Sequence, residues 1–268
     1  MWYNNDMMKK ILLLLTCFGL LVIGFYFYHS NILRHQPTVN ETFLSHQTIP
    51  ASFDGIRIVH FSDVFIQNEN DLRTLENAVD EINQLNPDIV VFTGNLFAHD
   101  IIYRETVIAH LLEINARLGR MATRGIHDSD NVIEILEAAA FTVLQNESIP
   151  LFNGTIDAIH IIGANPNLTR PELASILDEH HTADEFNLLL INEPTFAQMS
   201  TDFDIILQLS GYCLGLQQDG ACAQFYDGLY QFSDIFTLNV SPGLSRNLSF
   251  DFSIPSRPRI DSFLLGAQ

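Results

Sequence analysis

The sequence predicts an α/β sandwich, because β-branched apolar runs alternate along the chain with segments of helical periodicity. Apolar runs at residues 56–61 and 88–93 flank a helical pattern over residues 69–86. The chain has 268 residues, of which 47% are hydrophobic, enough for one substantial core. An 18-residue apolar run near the N-terminus stands apart from this alternation and predicts a membrane helix.

The elements of the domain follow in order from residue 56. The first strand, residues 56–61, lies between Asp54-Gly55 and Ser62-Asp63, which are typical turn residues. Pro87 ends the helix over 69–86, and the strand over 88–93 closes at Gly94-Asn95. Further helices are predicted over residues 104–117, 131–140 and 171–180, and further strands over residues 121–123, 141–144, 156–162, 187–191, 204–209, 237–241 and 260–265.

The charge and the cysteines limit the possible partners and sites. Acidic residues outnumber basic ones 32 to 13, and the only lysines are Lys9 and Lys10. Such a surface repels phosphate backbones, so no nucleic-acid partner is expected. Cys17, Cys213 and Cys222 show no metal-binding spacing. The last two are interpreted as free thiols, with a disulfide as the alternative in an oxidising compartment.

The apolar run at residues 11–28, ILLLLTCFGLLVIGFYFY, has the length of a membrane span. As a helix it reaches roughly 27 Å, close to the bilayer core of about 30 Å. Lys9 and Lys10 precede the run, whereas Arg34 alone is basic in the dozen residues after it. This bias predicts a cytoplasmic N-terminus and an extracytoplasmic main domain. A cleaved signal peptide is the alternative, but the absence of a small-residue cleavage site favours an uncleaved single-pass anchor in the cell membrane.

These segments give the expected domain organisation. Residues 1–10 form a cytoplasmic N-terminus and residues 11–28 the transmembrane anchor. Residues 29–52 are polar, mixed and without strong periodicity, and they are interpreted as a linker. The globular domain then covers residues 53–268.

Polar residues follow the predicted strands at their carboxyl ends. Asp63, Asn95, His127, Asn192 and Tyr212 each come after a strand or a strand candidate. In α/β folds, ligands collect at the loops beyond the carboxyl ends of the strands. The sequence therefore predicts that these five positions share one site region.

Several short motifs occur in the order found in a known family. They are FDGIRIV at 53–59, PDIVVFTG at 87–94, VLQNE at 143–147, SGYCLGLQ at 210–217, GLY at 228–230 and RP at 257–258. This order resembles the bacterial, membrane-anchored calcineurin-like metallophosphoesterases of the YkuE-like group, over nearly the whole domain. The resemblance implies two β-sheets flanked by helices. It also implies a site where two divalent metals, such as Mn, Fe or Zn, activate a hydroxide against a phosphoester.

The sequence departs from the family pattern where that family holds its metals. Of seven ligand positions implied by the resemblance, Asp63 alone keeps its usual residue. The substituted positions are Phe65 for His, Asn95 for Asp, Ile126 for Asn, Asn192 for His, and Tyr212 and Leu214 for the two histidines of Gly-His-x-His. The family's catalytic histidine persists as His127. Apolar side chains offer no lone pair and amides are weak neutral donors, so this set predicts no two-metal cage.

The substitutions are physically consistent with one another. Without metal, the family's carboxylates would face each other unpaired, which is costly in a buried site. Asn95 removes one of those charges. Phe65, Ile126 and Leu214 are expected to fill the vacated volume with apolar atoms.

The sequence thus predicts a membrane-tethered, non-catalytic binding or scaffold module with no cofactor and an unknown protein or small-molecule partner. The first alternative is an active phosphoesterase with a remodelled single-metal site at Asp63, Asn95, His127 and Asn192. Replacement ligands from residues 99–100 or 128–130 are a variant of that alternative. A third possibility is a pocket for an anion or a lipid headgroup without turnover, which the lack of lysine disfavours.

Overall fold

In the part of the chain that the structure describes, two six-stranded sheets pack face to face and carry helices on their outer faces. The computed structural model describes residues 5–31, 35–194, 197–211, 225, 227–232, 236–245 and 258–268. The predicted sandwich of two sheets flanked by helices is confirmed.

The first sheet is mostly parallel. Its strands are β1 (Thr38–His46), β2 (Arg57–Phe61), β3 (Ile89–Phe92), β4 (Gly119–Ala122), β5 (Thr142–Val143) and β12 (Arg259–Ala267). They lie in the order β1-β12-β2-β3-β4-β5. Among these described strands, only the β12–β2 pair is antiparallel, so β2, β3 and β4 all end at the same edge of the sheet.

The second sheet has a parallel centre and antiparallel edges. Its strands are β6 (Glu147–Phe152), β7 (Ala158–Gly163), β8 (Phe186–Leu190), β9 (Ile205–Ser210), β10 (Gly228–Phe232) and β11 (Phe236–Val240). They lie in the order β10-β11-β9-β8-β7-β6. The β10–β11 and β6–β7 pairs are antiparallel, and the pairs between them are parallel.

The helices follow the strands as the sequence periodicity predicts. They are α1 (Asn5–Asn31), α2 (Glu69–Gln84), α3 (Arg104–Leu112), α4 (Asn131–Ala138), α5 (Arg170–His180) and α6 (Ala197–Ser200). The start of α2 is fixed by a capping box, in which Asn68 accepts a helix N–H and the Asp71 carboxylate accepts the Asn68 N–H. Helix α3 ends at Leu112, earlier than the periodicity predicts.

The core forms three layers because side chains alternate between the two faces of each strand. In β2, Ile58 points between the sheets, whereas Val59 and Phe61 pack outward with α2 residues such as Leu75. A third layer lies between the second sheet and α5, around Leu177. This double-sided burial explains the near-continuous apolar runs of the central strands.

Helix α1 is long and apolar enough to cross a membrane. The 20 residues Met7–Tyr26 meet this description, and none of them is buried against the rest of the structure. Unlike the domain helices, α1 therefore presents an apolar surface on all sides, as a membrane span does.

The structure corrects the interpretation of residues 29–52 as a linker. Strand β1 lies in that segment and pairs in parallel with β12, from Thr38↔Arg259 to His46↔Ala267. Helix α1 also extends into it, to Asn31. The side chains of β1 are half-buried or exposed on both faces, so no alternation marks the strand in the sequence. Strands β6 and β10 are likewise absent from the elements that the sequence predicts.

Candidate functional site

The candidate site lies at one end of the sandwich, where the parallel strands of both sheets terminate. We call this end the site pole and define it by residues 62–66, 93–97, 124–128, 191–193 and 241–245. Asp63, Asn95, Asn192 and the backbone of His127 meet there through hydrogen bonds. Tyr212, the fifth position predicted for this region, lies outside the described residues.

Asn95 is the centre of a buried hydrogen-bond cluster. Its Nδ2 donates to Oδ1 of Asp63 over 2.7 Å and to Oδ1 of Asn192 over 3.2 Å. Its own Oδ1 accepts the backbone N–H of His127 over 3.0 Å. Both amide hydrogens and the amide oxygen are thus used, and the partners fix which end of the amide is which. We call Asp63, Asn95 and Asn192 the amide cluster.

Asn192 joins the second sheet to two loops of the first. Its Nδ2 donates to the carbonyl of Thr93 over 2.7 Å, and its Oδ1 accepts the backbone N–H of Ile126 over 3.2 Å. The side chain is 2% exposed. A neutral histidine has one donor and a single acceptor lone pair, whereas Oδ1 of Asn192 accepts two hydrogen bonds, from Asn95 and from Ile126.

Asp63 is a buried carboxylate that is held by hydrogen-bond donors. It is 1% exposed. Oδ2 accepts the Ser62 hydroxyl over 2.6 Å, while Oδ1 accepts Asn95. The Asp63 backbone has a positive φ of 54°, and its N–H donates to the carbonyl of Gly94. These contacts compensate part of the cost of burying the charge.

The two asparagines of the amide cluster differ in backbone conformation. Asn95 has a φ of 62°, the left-handed conformation that asparagine tolerates. Asn192 is not among the positive-φ residues and acts instead through its side chain.

Gly211 allows the second sheet to approach the cluster closely. A Cβ at this position would lie 2.5 Å from Oγ of Ser62, 2.6 Å from Oδ2 of Asp63 and 2.7 Å from Nδ2 of Asn192. No larger residue fits without displacing these polar groups. Gly211 of the motif at 210–217 is therefore explained by its packing against the amide cluster.

Asp128 organises the loop that carries Asn95. Its Oδ2 accepts the backbone N–H groups of Asn95 over 2.7 Å and Gly125 over 2.8 Å, and its Oδ1 accepts that of Leu96 over 2.9 Å. Burial raises the pKa of the Asp128 carboxyl, and the backbone donors oppose that rise. Sequence reasoning treated Asp128 only as a possible metal ligand and missed this structural role.

The apolar residues at the substituted ligand positions differ in their burial. Phe65 is 3% exposed, and its ring centre lies 5.6 Å from that of His127. Ile126 is 41% exposed, which corrects the expectation that its side chain fills the site. The backbone N–H of Ile126, and not its side chain, is directed at Asn192. Leu214 lies outside the described residues.

A second polar network lies between the sheets next to the amide cluster. Thr93, whose carbonyl binds Asn192, has its hydroxyl 2.9 Å from Nε2 of His60. His60 is followed by Asn239, which donates to the buried carboxylate of Asp261 over 3.1 Å. Desolvation by burial, together with the charge of Arg259, lowers the pKa of His60 to about 3. His60 is therefore neutral and holds the sheets together by hydrogen bonds.

The profile of the Calcineurin-like phosphoesterase family matches residues 56–211. The matched segment is more than half of the chain and contains four of the five site loops. The chain belongs to the calcineurin-like phosphoesterase family.

Relatives of this calcineurin-like phosphoesterase agree with that assignment. The metallophosphoesterase YkuE of Bacillus subtilis (strain 168), described as uncharacterized, is 31% identical over 205 residues, which are 72% of this chain and 70% of that protein. A transmembrane protein with metallophosphoesterase domain from Danio rerio is 25% identical, over 85% of this chain and 57% of the relative. The UDP-2,3-diacylglucosamine pyrophosphatase LpxG of Chlamydia trachomatis is 28% identical, over 47% of this chain and 42% of that protein.

Among solved structures, TT1561 of Thermus thermophilus is similar with a TM-score of 0.49 and 13% identity. The similarity covers 71% of this chain and 91% of that structure.

Calcineurin-like phosphoesterases normally use divalent metals, and the residues at this site pole do not fit such a pair. In the described part of the chain, no group of three or more His, Cys, Asp or Glu side chains could hold a metal ion. The oxygens of Asp63 and Asn192 that face Asn95 both accept hydrogens from its amide. A cation on these oxygens would have to displace Nδ2, and the single cluster carboxylate would have to balance its charge.

Proposed function

We propose that this calcineurin-like phosphoesterase is anchored in the cell membrane by α1 and has lost its dinuclear metal site. Its extracytoplasmic domain then acts as a non-catalytic binding or scaffold module. The observation that carries this proposal is the amide cluster, in which Nδ2 of Asn95 lies within 2.7 Å of Asp63 and 3.2 Å of Asn192. In this arrangement an amide takes the place between the two side chains that a bridging cation would need.

The cluster supports the loss of metal for an electrostatic reason. Two divalent cations carry four positive charges, and hard cations of this kind are held by several carboxylates or imidazoles. The amide cluster offers one negative charge, on Asp63. Phe65, Tyr212 and Leu214 replace three further histidines of the pattern that the sequence resembles, and two of them have no lone pair to donate.

His127 by itself does not supply the missing chemistry. Hydrolysis of a phosphoester in this family depends on a hydroxide that the metals activate. A histidine can donate a proton to a leaving oxygen, but it needs an attacking nucleophile on the opposite side of the phosphorus. His127 is exposed and packs against the ring of Phe65, which is consistent with a loop histidine.

The partner is proposed from charge and location. An excess of 32 acidic over 13 basic residues disfavours nucleic acid. Two relatives, from Danio rerio and Bos taurus, carry the name of transmembrane proteins with a metallophosphoesterase domain, which supports a membrane location. We therefore propose that the partner is a protein or a small molecule, which the domain binds without turnover.

An activity assay with a matched variant tests the proposal. The full-length protein in detergent is incubated with a phosphomonoester and a phosphodiester in the presence of Mn²⁺, Fe²⁺ or Zn²⁺, beside the Asp63→Ala variant. We expect no turnover above that of the variant with any metal. Metal-dependent turnover that disappears in Asp63→Ala would establish the alternative, an active phosphoesterase with a remodelled site.

A further inference from the structure

We infer that the site pole faces the membrane and contacts the headgroup layer of the bilayer. This inference rests on the proposed anchoring by α1. It goes beyond the proposed function by naming the surface of the domain and what that surface meets.

The topology brings the chain into the domain at the site pole. Strand β12 is antiparallel to β2, with Asp261 opposite His60, and β1 is parallel to β12, with Thr38 opposite Arg259. The first residue of β1 therefore lies at the level where β2 ends. The N–H of Arg259 donates to the carbonyl of Gly243, a residue of the site pole.

The residues just before β1 are fixed to the same end of the molecule. His35 is 9% exposed, and its Nδ1 lies 2.8 Å from Oγ1 of Thr74 in α2. Its carbonyl accepts the side chain of Asn77 over 2.9 Å. A small cavity of about 80 Å³ is lined jointly by His35, Val64 and Leu244. His35 thus attaches the chain to α2 beside the loops of the candidate site.

The tether between the membrane helix and this attachment point is short. The candidate span ends at Tyr26 and α1 continues to Asn31, which adds roughly 7 Å of helix. The four Cα–Cα steps from Asn31 to His35 cover at most about 15 Å. His35 is therefore held within roughly 22 Å of the end of the span, a distance that already includes the headgroup layer of about 5–8 Å.

The opposite orientation does not fit this tether. We call the other end of the sandwich the far pole and define it by residues 47–50, 152–158 and 184–185. Strand β12 runs between the poles over nine residues, or about 30 Å. If the far pole lay on the membrane, His35 would be about 30 Å above the headgroups, beyond the reach of the tether.

The exposed side chains of the site pole suit an interface of this kind. Ile126 is 41% exposed there, and Tyr103, at the start of α3 on the same end, is also 41% exposed. Tyrosine combines an apolar ring with a polar tip, as residues at membrane interfaces do. Acidic residues outnumber basic ones by 32 to 13 in the chain, so the contact is not expected to depend on anionic lipid.

Quenching of site-specific fluorophores in lipid nanodiscs tests the inference. Full-length protein with Cys17, Cys213 and Cys222 changed to serine receives one new cysteine at a time: Ile126→Cys or His99→Cys near the site pole, and Ile156→Cys at the far pole. Ile156 is a matched control because it is an isoleucine with 93% exposure. With nitroxide-headgroup lipid in the disc, we expect several-fold stronger quenching at 126 and 99 than at 156, with or without anionic lipid.

Lengthening the tether supplies the second arm of the test. About ten Gly and Ser residues inserted between Asn31 and His35 act as a flexible linker and should abolish the difference between the poles. Equal quenching at both poles in the unmodified chain, or stronger quenching at 156, would overturn the inference. A difference that persists unchanged after the insertion would contradict the tether as its cause. None of these outcomes depends on metal content or turnover, so the proposed loss of catalysis is tested separately.

Discussion

The side-chain nitrogen of Asn95 lies 2.7 Å from Oδ1 of Asp63. In the sequence pattern that this chain resembles, position 95 is an aspartate that bridges two metals. Here an amide hydrogen makes the contact, and it stabilises the neighbouring carboxylate by a charge-assisted hydrogen bond. This contact is the geometric basis of the proposed loss of the metal site.

Restoring the carboxylate by Asn95→Asp should destabilise the protein. The change removes both donors of the amide and places a second carboxylate beside Asp63, at a cost of about 2–4 kcal/mol in the free energy of unfolding near neutral pH. Repulsion raises the pKa of the carboxylate pair in the folded state, so the loss should be smaller at pH 5 than at pH 7.

Chemical denaturation of the two proteins at both pH values measures this effect. Asn86→Asp is the matched control, because Asn86 is exposed and also has a positive φ, of 49°. We expect a change within about 0.5 kcal/mol for the control. Equal stability of Asn95→Asp and the native protein would show that the amide cluster contributes nothing to the free energy of unfolding.

His60 should make the protein sensitive to mild acid. Its pKa is about 3 in the folded protein, against 6.5 for an ordinary histidine, so between these values only the unfolded chain takes up the proton. The free energy of unfolding should therefore fall as the pH drops, by about 2–3 kcal/mol between pH 6.5 and 4.5 from this group.

Replacing His60 isolates this contribution. His60→Gln removes the titrating group and should flatten the slope of stability against pH in that window, whereas His99→Gln, at an exposed position, should leave it as it is. An unchanged slope in His60→Gln would contradict the assignment of a neutral buried imidazole.

Asp128→Ala should weaken the loop that carries the amide cluster. The change leaves the backbone N–H groups of Asn95, Leu96 and Gly125 without their acceptor, which should cost about 2–4 kcal/mol. Asp130→Ala is the control, because Asp130 is 88% exposed in its ion pair with Arg124 and such pairs contribute about 1 kcal/mol or less. Thermal denaturation of both variants compares the loop-organising role of Asp128 with the surface ion pair of Asp130. Equal losses of stability in the two variants would contradict the role assigned to Asp128.

Membrane anchoring by α1 predicts retention under alkaline conditions. After carbonate extraction, the full-length protein should stay with the membrane fraction, because the largely apolar span of 20 residues binds the bilayer core. A variant with two arginines in the middle of the helix, at Leu15 and Leu21, should be released or fail to insert. Release of the unmodified full-length protein would rule out the anchor.

The sequence predicts the central strands well because the burial of each strand leaves a pattern in its own residues. Strands β2, β3, β8 and β9 are buried on both faces, so continuous apolar runs mark them. Strand β1 is not predicted because its partner β12 lies more than two hundred residues away along the sequence. Its half-buried side chains give no alternation to recognise.

The candidate site is predictable in position but not in its contacts. The order of strands places Asp63, Asn95 and Asn192 at one edge, as expected from parallel topology. No pattern in the sequence predicts that the Asn95 amide donates to both Asp63 and Asn192. Nor does any pattern predict that Ile126 directs its backbone N–H, and not its side chain, at Asn192. Those facts depend on φ values and side-chain orientations that only the folded loops define.

The metal content of the purified full-length protein tests the central claim most directly. The protein is incubated with excess Mn²⁺ or Zn²⁺, passed through a desalting column, and measured for bound metal and for melting temperature beside Asp63→Ala. We predict well below one metal per chain and no difference in metal-induced stabilisation between the two proteins. Two metals per chain, or a rise in melting temperature that Asp63→Ala abolishes, would contradict the loss of the metal site.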